Sequence, residues 1–173
     1  MLDVLIIEFE RFEALYDLRN NPNFGGSRMA NVKILYEDQE IVSSFPIMQQ
    51  LRSELERETP ETYLQRVRRM EQNHHYRLVA VFDQDEIRVL AGYRIAENFV
   101  WGKYLYVNEL ITDREHRRKG YGQKLFDWLL CEAKAQRCRK FRMDTTVQQH
   151  VAHRFCLKNK LYISCHHFQL NLD

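Results

Sequence analysis

The sequence lacks the features that mark several broad classes of protein. Its four cysteines form no CxxC pair and fall far below the density of a disulfide-stapled secreted domain, which indicates reduced thiols in a cytoplasmic protein. No stretch approaches the roughly 20 consecutive apolar residues that a membrane span requires, so we expect no membrane partner. The seven histidines include no HxxxH or His/Cys set with the spacing of a zinc site, so we predict no metal.

A strong net charge is also absent. The chain has 26 Lys and Arg against 24 Asp and Glu, a net charge of +2, so any basic patch must be local. We therefore expect no nucleic-acid partner. Apolar residues at 45% and charged residues at 29% are typical of a globular protein, and 173 residues suit one domain with a sizeable core.

The first 28 residues do not have the pattern of a signal peptide. They mix apolar and acidic side chains, and they lack both a basic start and a small-residue cleavage site. We interpret residues 1–28 as an N-terminal extension of unknown role: a docking helix, a contact of a homodimer, or a leader. A single domain is then predicted over residues 29–173.

Apolar periodicity in the rest of the sequence switches between the strand and the helix pattern. Strands are predicted at residues 32–37, 76–82, 87–99, 102–112, 141–147 and 161–172, and helices at residues 37–55, after Thr59, after Gly122 and at residues 150–159. Pro46 is expected to kink or restart the first helical region. This order predicts a mixed α/β fold.

The segment RRKGYG, residues 117–122, links the strand at residues 102–112 to a helix. Two glycines at such a junction let the backbone approach a ligand, and the free N–H groups of the first helical turn favour an anion. Three basic side chains add positive charge. The segment is therefore either a cradle for a diphosphate or an ordinary basic turn. It matches neither a P-loop nor the GxGxxG dinucleotide pattern.

Several short words resemble the GNAT N-acetyltransferase superfamily in the order that this family has them. Its signature [RQ]xxGx[GA] is matched by Arg117, Gly120 and Gly122, and FPIMQQLR, LAGYRI, LYVNELIT and AHRFC occur at corresponding places. The resemblance covers about Lys33 to the C-terminus. It implies a mostly antiparallel sheet flanked by helices, classed as α/β (α+β), in which the fourth strand splays from the fifth.

The resemblance also implies how acetyl-CoA is bound as a co-substrate. The pantetheine arm would lie between the splayed strands and bond to the backbone of one strand, and the pyrophosphate would lie against the amides of the basic loop. Gln149 and Asn159 are further candidates for cofactor contact. The predicted cofactor-binding residues are Leu110, Ile111, Thr112, Arg117, Arg118, Lys119, Gly120, Tyr121, Gly122, Gln149 and Asn159.

Two residues are predicted to be catalytic. Glu109 is the acid in the strand LYVNELIT, where a carboxylate suits a general base for an amine; alternatively it is an exposed or salt-bridged strand residue. Cys156 stands where the family often has a tyrosine, and its thiol suits a proton donor to the departing CoA thiolate or a covalent acceptor of the acyl group. It is alternatively a small core residue. Lys160 and Leu161 also depart from the Gly-Phe that is usual in the family.

The leading functional hypothesis is an N-acetyltransferase that moves an acetyl group from acetyl-CoA to a primary amine by direct transfer in a ternary complex. The acceptor is either a small molecule or a protein amine. The alternative is a non-catalytic module that binds acyl-CoA as a sensor or scaffold. Tyr93, Trp101 and Tyr104 either line an acceptor pocket or belong to the core.

Overall fold

A computed structural model describes residues 31–172 of the chain. The extension predicted for residues 1–28 lies outside the described residues, as does the start of the domain at residue 29. The chain divides into two compact units after Met143. The first unit contains a sheet and its helices, and the second contains a single helix within the described residues.

The first unit is a five-stranded sheet with helices packed on both faces. The strands are β1 (Asn31–Ile34), β2 (Tyr76–Asp83), β3 (Glu86–Asn98), β4 (Gly102–Thr112) and β5 (Lys140–Met143), and the helices are α1 (Asp38–Ser43), α2 (Phe45–Gln49), α3 (Pro60–His74) and α4 (Tyr121–Ala135), with 3-10 turns at Ser53–Arg57 and Arg114–His116. The spatial order is β1-β2-β3-β4-β5, antiparallel except for the parallel pair β4–β5. This confirms the predicted mixed, mostly antiparallel fold.

The predicted starts and breaks of the first helices are confirmed. Ser44 separates α1 from α2, and Pro46 lies in the first turn of α2, where its missing N–H leaves no helical bond unmade. Helix α3 begins after Thr59, whose hydroxyl accepts a hydrogen bond from the main-chain N–H of Thr62 at 3.3 Å. This cap satisfies one of the donors that every helix start leaves free.

The turn between β2 and β3 consists of Gln84 and Asp85. Both residues have positive φ angles, 53° and 63°. Two left-handed residues in succession are typical of a type I′ turn, whose twist matches that of the strands it joins. The polar stretch after Phe82 therefore makes the hairpin connection that the sequence predicted.

Side chains of the central strands alternate between two cores, one on each face of the sheet. Leu78, Ala80 and Leu90 pack with α1, α2 and α3. Val79 and Val89 belong to the other core, with α4. Tyr93 is fully buried in this second core, so of its two predicted roles the structure supports the core.

Strand β4 carries a bulge at Asn108. On β3, Gly92 pairs with Glu109 and the next residue pairs with Val107, so no residue of β3 pairs with Asn108. Pairing with β5 ends at the same point, with Val107 opposite Met143. Residues 109–112 of β4 thus pair with β3 on one side and with no strand of the described chain on the other.

The strand predicted at residues 141–147 is wrong in its second half, because β5 ends at Met143. A strand persists only where a neighbour continues the hydrogen-bond ladder, and the bulge at Asn108 interrupts that neighbour. Beyond β5 the chain turns instead. The carbonyl of Thr146 accepts hydrogen bonds from the main-chain N–H of Gln149 and, at 2.9 Å, from the ring of His153.

The second unit contains helix α5 (His150–Lys158), as predicted. The strand predicted at residues 161–172 is wrong, since this segment has no regular structure. Alternating apolar residues indicate which side chains share a face, but a strand also needs a hydrogen-bonding partner. The side chains of Tyr162, Ile163 and Phe168 are exposed.

Lys160 ends α5 in a left-handed conformation, with a φ of 62°. The N–H of Lys160 donates to the carbonyl of Leu157, and the N–H of Leu161 donates to that of Cys156, at 3.0 and 3.1 Å. This is the Schellman arrangement, in which glycine is favoured because it has no Cβ. The helix therefore ends in an ordinary way, although Lys160 and Leu161 replace the Gly-Phe that is usual in the family.

We expect Lys160→Gly to raise the free energy of unfolding by about 0.5–1 kcal/mol, because glycine adopts this φ without steric strain. Urea unfolding measures the change. Lys160→Ala is the matched control, since it removes the charge but keeps the Cβ. An equal gain in both variants would assign the effect to charge and contradict the conformational explanation.

Candidate active site

The loop between β4 and α4 is fixed to the rest of the first unit by Gln50. The side-chain amide of Gln50 donates to Asp113 Oδ1 at 3.0 Å, and its Oε1 accepts from the main-chain N–H of Arg114 at 3.0 Å. The ring of His116 lies 2.7 Å from the other oxygen of Asp113. The start of the basic loop is therefore held in one conformation.

The basic segment that follows is exposed and turns sharply into α4. Arg118 and Gly120 have positive φ angles of 64° and 88°, and Gly120 is the N-cap of the helix. A Cβ added at Gly122 would lie 3.1 Å from Thr112 Oγ1, so the first turn of α4 passes close to the end of β4. Limited space therefore favours glycine at position 122, whereas the left-handed φ favours it at position 120.

The main-chain N–H groups of this junction are available to a ligand. Within residues 31–172, no hydrogen bond uses those of residues 118–120, and those of Tyr121 and Gly122 lie in the first turn of a 15-residue helix. The helix start adds partial positive charge, and residues 117–119 add three exposed cationic side chains. Such a set of donors suits an anion.

Tyr121 contributes to this junction through its main chain rather than its side chain. Its hydroxyl donates a hydrogen bond to Asp83 at the end of β2. The bond ties the first turn of α4 to the β2–β3 hairpin. The pKa of the Tyr121 hydroxyl is raised by this hydrogen bond to a carboxylate.

The end of β4 presents a free backbone edge beside the same junction. The side chain of Ile111 is buried against the core of α1–α3, and that of Leu110 packs against the opposite core. The carbonyl of Thr112 accepts from Arg117 Nε at 3.4 Å. The side chains thus anchor this segment, while its backbone on the side away from β3 bonds to no strand among the described residues.

Glu109 lies at the start of this free edge and is largely buried, with 13% of its side chain exposed. Its Oε1 accepts from Arg52 Nη2 at 2.8 Å, and its Oε2 accepts from the hydroxyl of Tyr76 at 2.7 Å. Of the two sequence interpretations, a salt-bridged carboxylate is therefore observed. The salt bridge also orients the carboxylate, and it leaves each oxygen a further lone pair.

Tyr76 is a donor in this arrangement. Burial, reinforced by the charge of Glu109, holds the pKa of its hydroxyl well above the ordinary value. In the same core, the hydroxyl of Tyr63 lies 2.9 Å from that of Ser44, and burial raises the pKa of Tyr63 to about 12. Both phenols are protonated at neutral pH, so Glu109 is the acceptor.

Gly92 makes room for the carboxylate on the neighbouring strand. A Cβ built there would lie 1.9 Å from the Tyr76 oxygen and 2.4 Å from Glu109 Oε2. No larger residue fits unless one of these side chains moves. The side chains of Tyr76 and Glu109 therefore explain why the segment LAGYRI has glycine at position 92, which the sequence alone does not show.

Three predicted site residues belong to the second unit. Gln149 is the N-cap of α5, Cys156 lies within this helix, and Asn159 is its C-cap. The side chain of Asn159 donates to the carbonyl of Phe155 at 2.9 Å. Burial raises the pKa of the Cys156 thiol above its ordinary value. The three residues thus lie along one helix, and their functional roles stay predictions.

Other kinds of site were searched for over the same residues. Within residues 31–172, no group of three or more His, Cys, Asp or Glu side chains is placed to hold a metal ion. None of the helices described here has the length and apolar character needed to cross a membrane.

Comparisons with known proteins show which family the chain resembles. A model of the acetyltransferase (GNAT) family matches residues 45–159. The uncharacterized N-acetyltransferase YhdJ of Bacillus subtilis (strain 168) is 34% identical over 127 residues, which cover 73% of this chain and 87% of that protein.

Two solved structures show the same fold. Glucosamine-6-phosphate N-acetyltransferase from Arabidopsis thaliana has a TM-score of 0.65 at 17% identity, over 84% of this chain and 99% of that one. Aminoglycoside N-acetyltransferase AAC(6')-Iy in complex with CoA has a TM-score of 0.70 at 11% identity, over 83% of this chain and 96% of that one. With the family match spanning more than half of its length, the chain belongs to the acetyltransferase (GNAT) family.

Proposed function

We propose that the protein transfers an acetyl group from acetyl-CoA to a primary amine, by direct transfer in a ternary complex. One observation carries the proposal: the edge of β4 that no described strand covers runs from a largely buried carboxylate, Glu109, to a helix start whose main-chain donors at residues 118–120 bond to nothing within residues 31–172. The family match and a similar fold in complex with CoA support the use of an acyl-CoA.

The residues at the start of α4 suit the diphosphate of CoA. The N–H groups of residues 118–122 provide donors, and Arg117, Arg118 and Lys119 provide mobile positive charge. The backbone of residues 110–112 suits the amides of the pantetheine arm, which would extend the sheet as a strand does. The bound thioester supplies an activated acetyl group.

Glu109 acts as the general base in this proposal. An amine that attacks a carbonyl must lose a proton, and a carboxylate held by Arg52 and Tyr76 can accept it directly or through a water molecule. Ionised Glu109 keeps its geometry because both donors remain bonded to it. Tyr76 and Arg52 are positioning residues.

Cys156 is proposed to donate a proton to the departing CoA thiolate. The thiol is protonated at neutral pH even at its ordinary pKa, and burial raises the pKa of Cys156 further. The S–H bond of Cys156 breaks, the S–H bond of CoA forms, and solvent returns a proton to Cys156.

Binding of acetyl-CoA is the first test. At about 100 times its dissociation constant, the cofactor is expected to raise the melting temperature by about 5–10 °C, because it binds only the folded state. Acetylpantetheine, which lacks the diphosphate, is the matched control and is expected to give a much smaller shift.

Release of CoA in the presence of a panel of primary amines then measures turnover. Binding without any amine-dependent release would favour the alternative, a non-catalytic acyl-CoA-binding module. Equal shifts with acetyl-CoA and acetylpantetheine would contradict the assignment of the basic loop to the diphosphate.

A further inference from the structure

A row of four side chains crosses the sheet next to Glu109. Tyr76 pairs with Arg94, Arg94 pairs with Tyr106, and Tyr106 pairs with Arg142, from β2 to β5. Directly paired residues project from the same face of a sheet. The Arg94 guanidinium accordingly lies 5.3 Å from the centre of the Tyr106 ring.

This row is on the same face as the candidate base. Tyr76 belongs to the row and also donates to Glu109. Gly92, which pairs with Glu109, is two residues from Arg94 along β3, a distance of about 7 Å along the strand. A small molecule with its amine at Glu109 therefore has Arg94 within reach of its other end.

Arg94 lacks an anionic partner in the described part of the chain. Among residues 31–172 no carboxylate pairs with it, and its buried Nε has no hydrogen-bond partner there. An unsatisfied buried guanidinium donor is costly, so such a donor usually has a hydrogen-bond partner, and an anion is the strongest one. On the adjacent bulge, the buried Oδ1 of Asn108 likewise has no partner among these residues.

The surrounding face is cationic and aromatic. Arg142 lies over the ring of Trp101, with 3.3 Å from its Cζ to the ring centre, and Trp101 makes an edge contact with Tyr104. Together with Arg52, which pairs with Glu109, three guanidinium groups occupy this face. The guanidinium of Arg94, for which the described residues provide no carboxylate, attracts an anionic group and repels a second ammonium.

We propose that this face binds the acceptor, and that the acceptor is a small primary amine that also carries an oxyanion, a carboxylate or a phosphate. Arg94 binds the oxyanion while the amine lies at Glu109. The proposal rests on the proposed function and adds the chemical class of the acceptor to it.

Three amines of matched length test the proposal: 4-aminobutyrate, butylamine and 1,4-diaminobutane. Steady-state CoA release is expected to give 4-aminobutyrate a kcat/KM about 10 to 100 times that of butylamine, the factor that one charged hydrogen-bonded pair supplies. The diamine is expected to be the poorest. Phosphoethanolamine, run beside β-alanine, distinguishes a phosphate acceptor from a carboxylate one.

Variants of Arg94 identify the side chain responsible. Arg94→Gln is expected to remove the preference for 4-aminobutyrate over butylamine, and Arg94→Lys to retain part of it, because lysine keeps the charge but not the forked donors. Arg77→Gln is the matched control, since Arg77 neighbours Tyr76 on β2 and projects from the opposite face. Melting temperature and acetyl-CoA affinity show whether each variant is folded.

Binding of the same three amines to the complex with CoA, measured by calorimetry, gives a readout that does not depend on turnover. A preference for butylamine or the diamine, or one for 4-aminobutyrate that survives in Arg94→Gln, would overturn the acceptor class while leaving acetyl transfer intact. Arg94-dependent binding of 4-aminobutyrate without turnover of any amine would instead support the acceptor site and contradict the proposed catalysis.

Discussion

Replacement of Glu109 by glutamine is expected to lower kcat/KM for amine acetylation about 100-fold, the lower range of what a positioned general base contributes. Glutamine has nearly the same shape but accepts no proton. Its amide also cannot accept from both Arg52 and Tyr76, so we expect a loss of about 1–2 kcal/mol of stability as well. The affinity for acetyl-CoA should be unchanged, because the predicted cofactor contacts lie beyond Glu109.

Glu97→Gln is the control for this experiment. Glu97 is an exposed carboxylate on β3, three residues from Arg94 and on the opposite face of the sheet, so its neutralisation changes the net charge by the same amount without touching the site. Activity of folded Glu109→Gln within about threefold of the wild type would remove Glu109 from the role of base, because a base contributes at least ten times more.

The sequence predicts the elements whose signals are local. Thr59 before Pro60 predicts the start of α3, and the polar residues after Phe82 predict the hairpin, because a cap and a turn depend on neighbouring residues alone. Strand ends depend on a partner elsewhere in the chain. That is why β5 stops at Met143 and why residues 161–172, although they alternate like a strand, have no regular structure.

The candidate site also has parts that the sequence predicts and parts that only the fold brings together. The basic loop and Glu109 are visible in the sequence, since each is marked by residue type within a short segment. The partners of Glu109 are not, because Tyr76 and Arg52 are 33 and 57 residues away in the chain. Gln50 is 63 residues from the Asp113 that it holds. No periodicity or motif encodes such contacts; only the folded sheet and helices bring them together.

The junction of β4 and α4 supports a second large effect. Gly122→Val is expected to weaken acetyl-CoA binding about 100-fold, because the valine methyl groups occupy the space beside the free edge of β4 and hinder the first-turn N–H groups; the loss of one or two charge-assisted hydrogen bonds has this size. A Cβ at this position already lies 3.1 Å from Thr112 Oγ1, so the larger side chain of valine also crowds the end of β4. Calorimetric titration with acetyl-CoA measures the change.

The matched control replaces the glycine without crowding Thr112. In Gly122→Ala combined with Thr112→Ala, the added Cβ no longer meets the hydroxyl of Thr112, and we expect affinity within about threefold of the wild type, less than one hydrogen bond to a charged group. Gly122→Ala alone should fall between the two. If folded Gly122→Val binds acetyl-CoA as the wild type does, the diphosphate does not lie against the start of α4, since no ligand bonded to those N–H groups can avoid the valine side chain beside them.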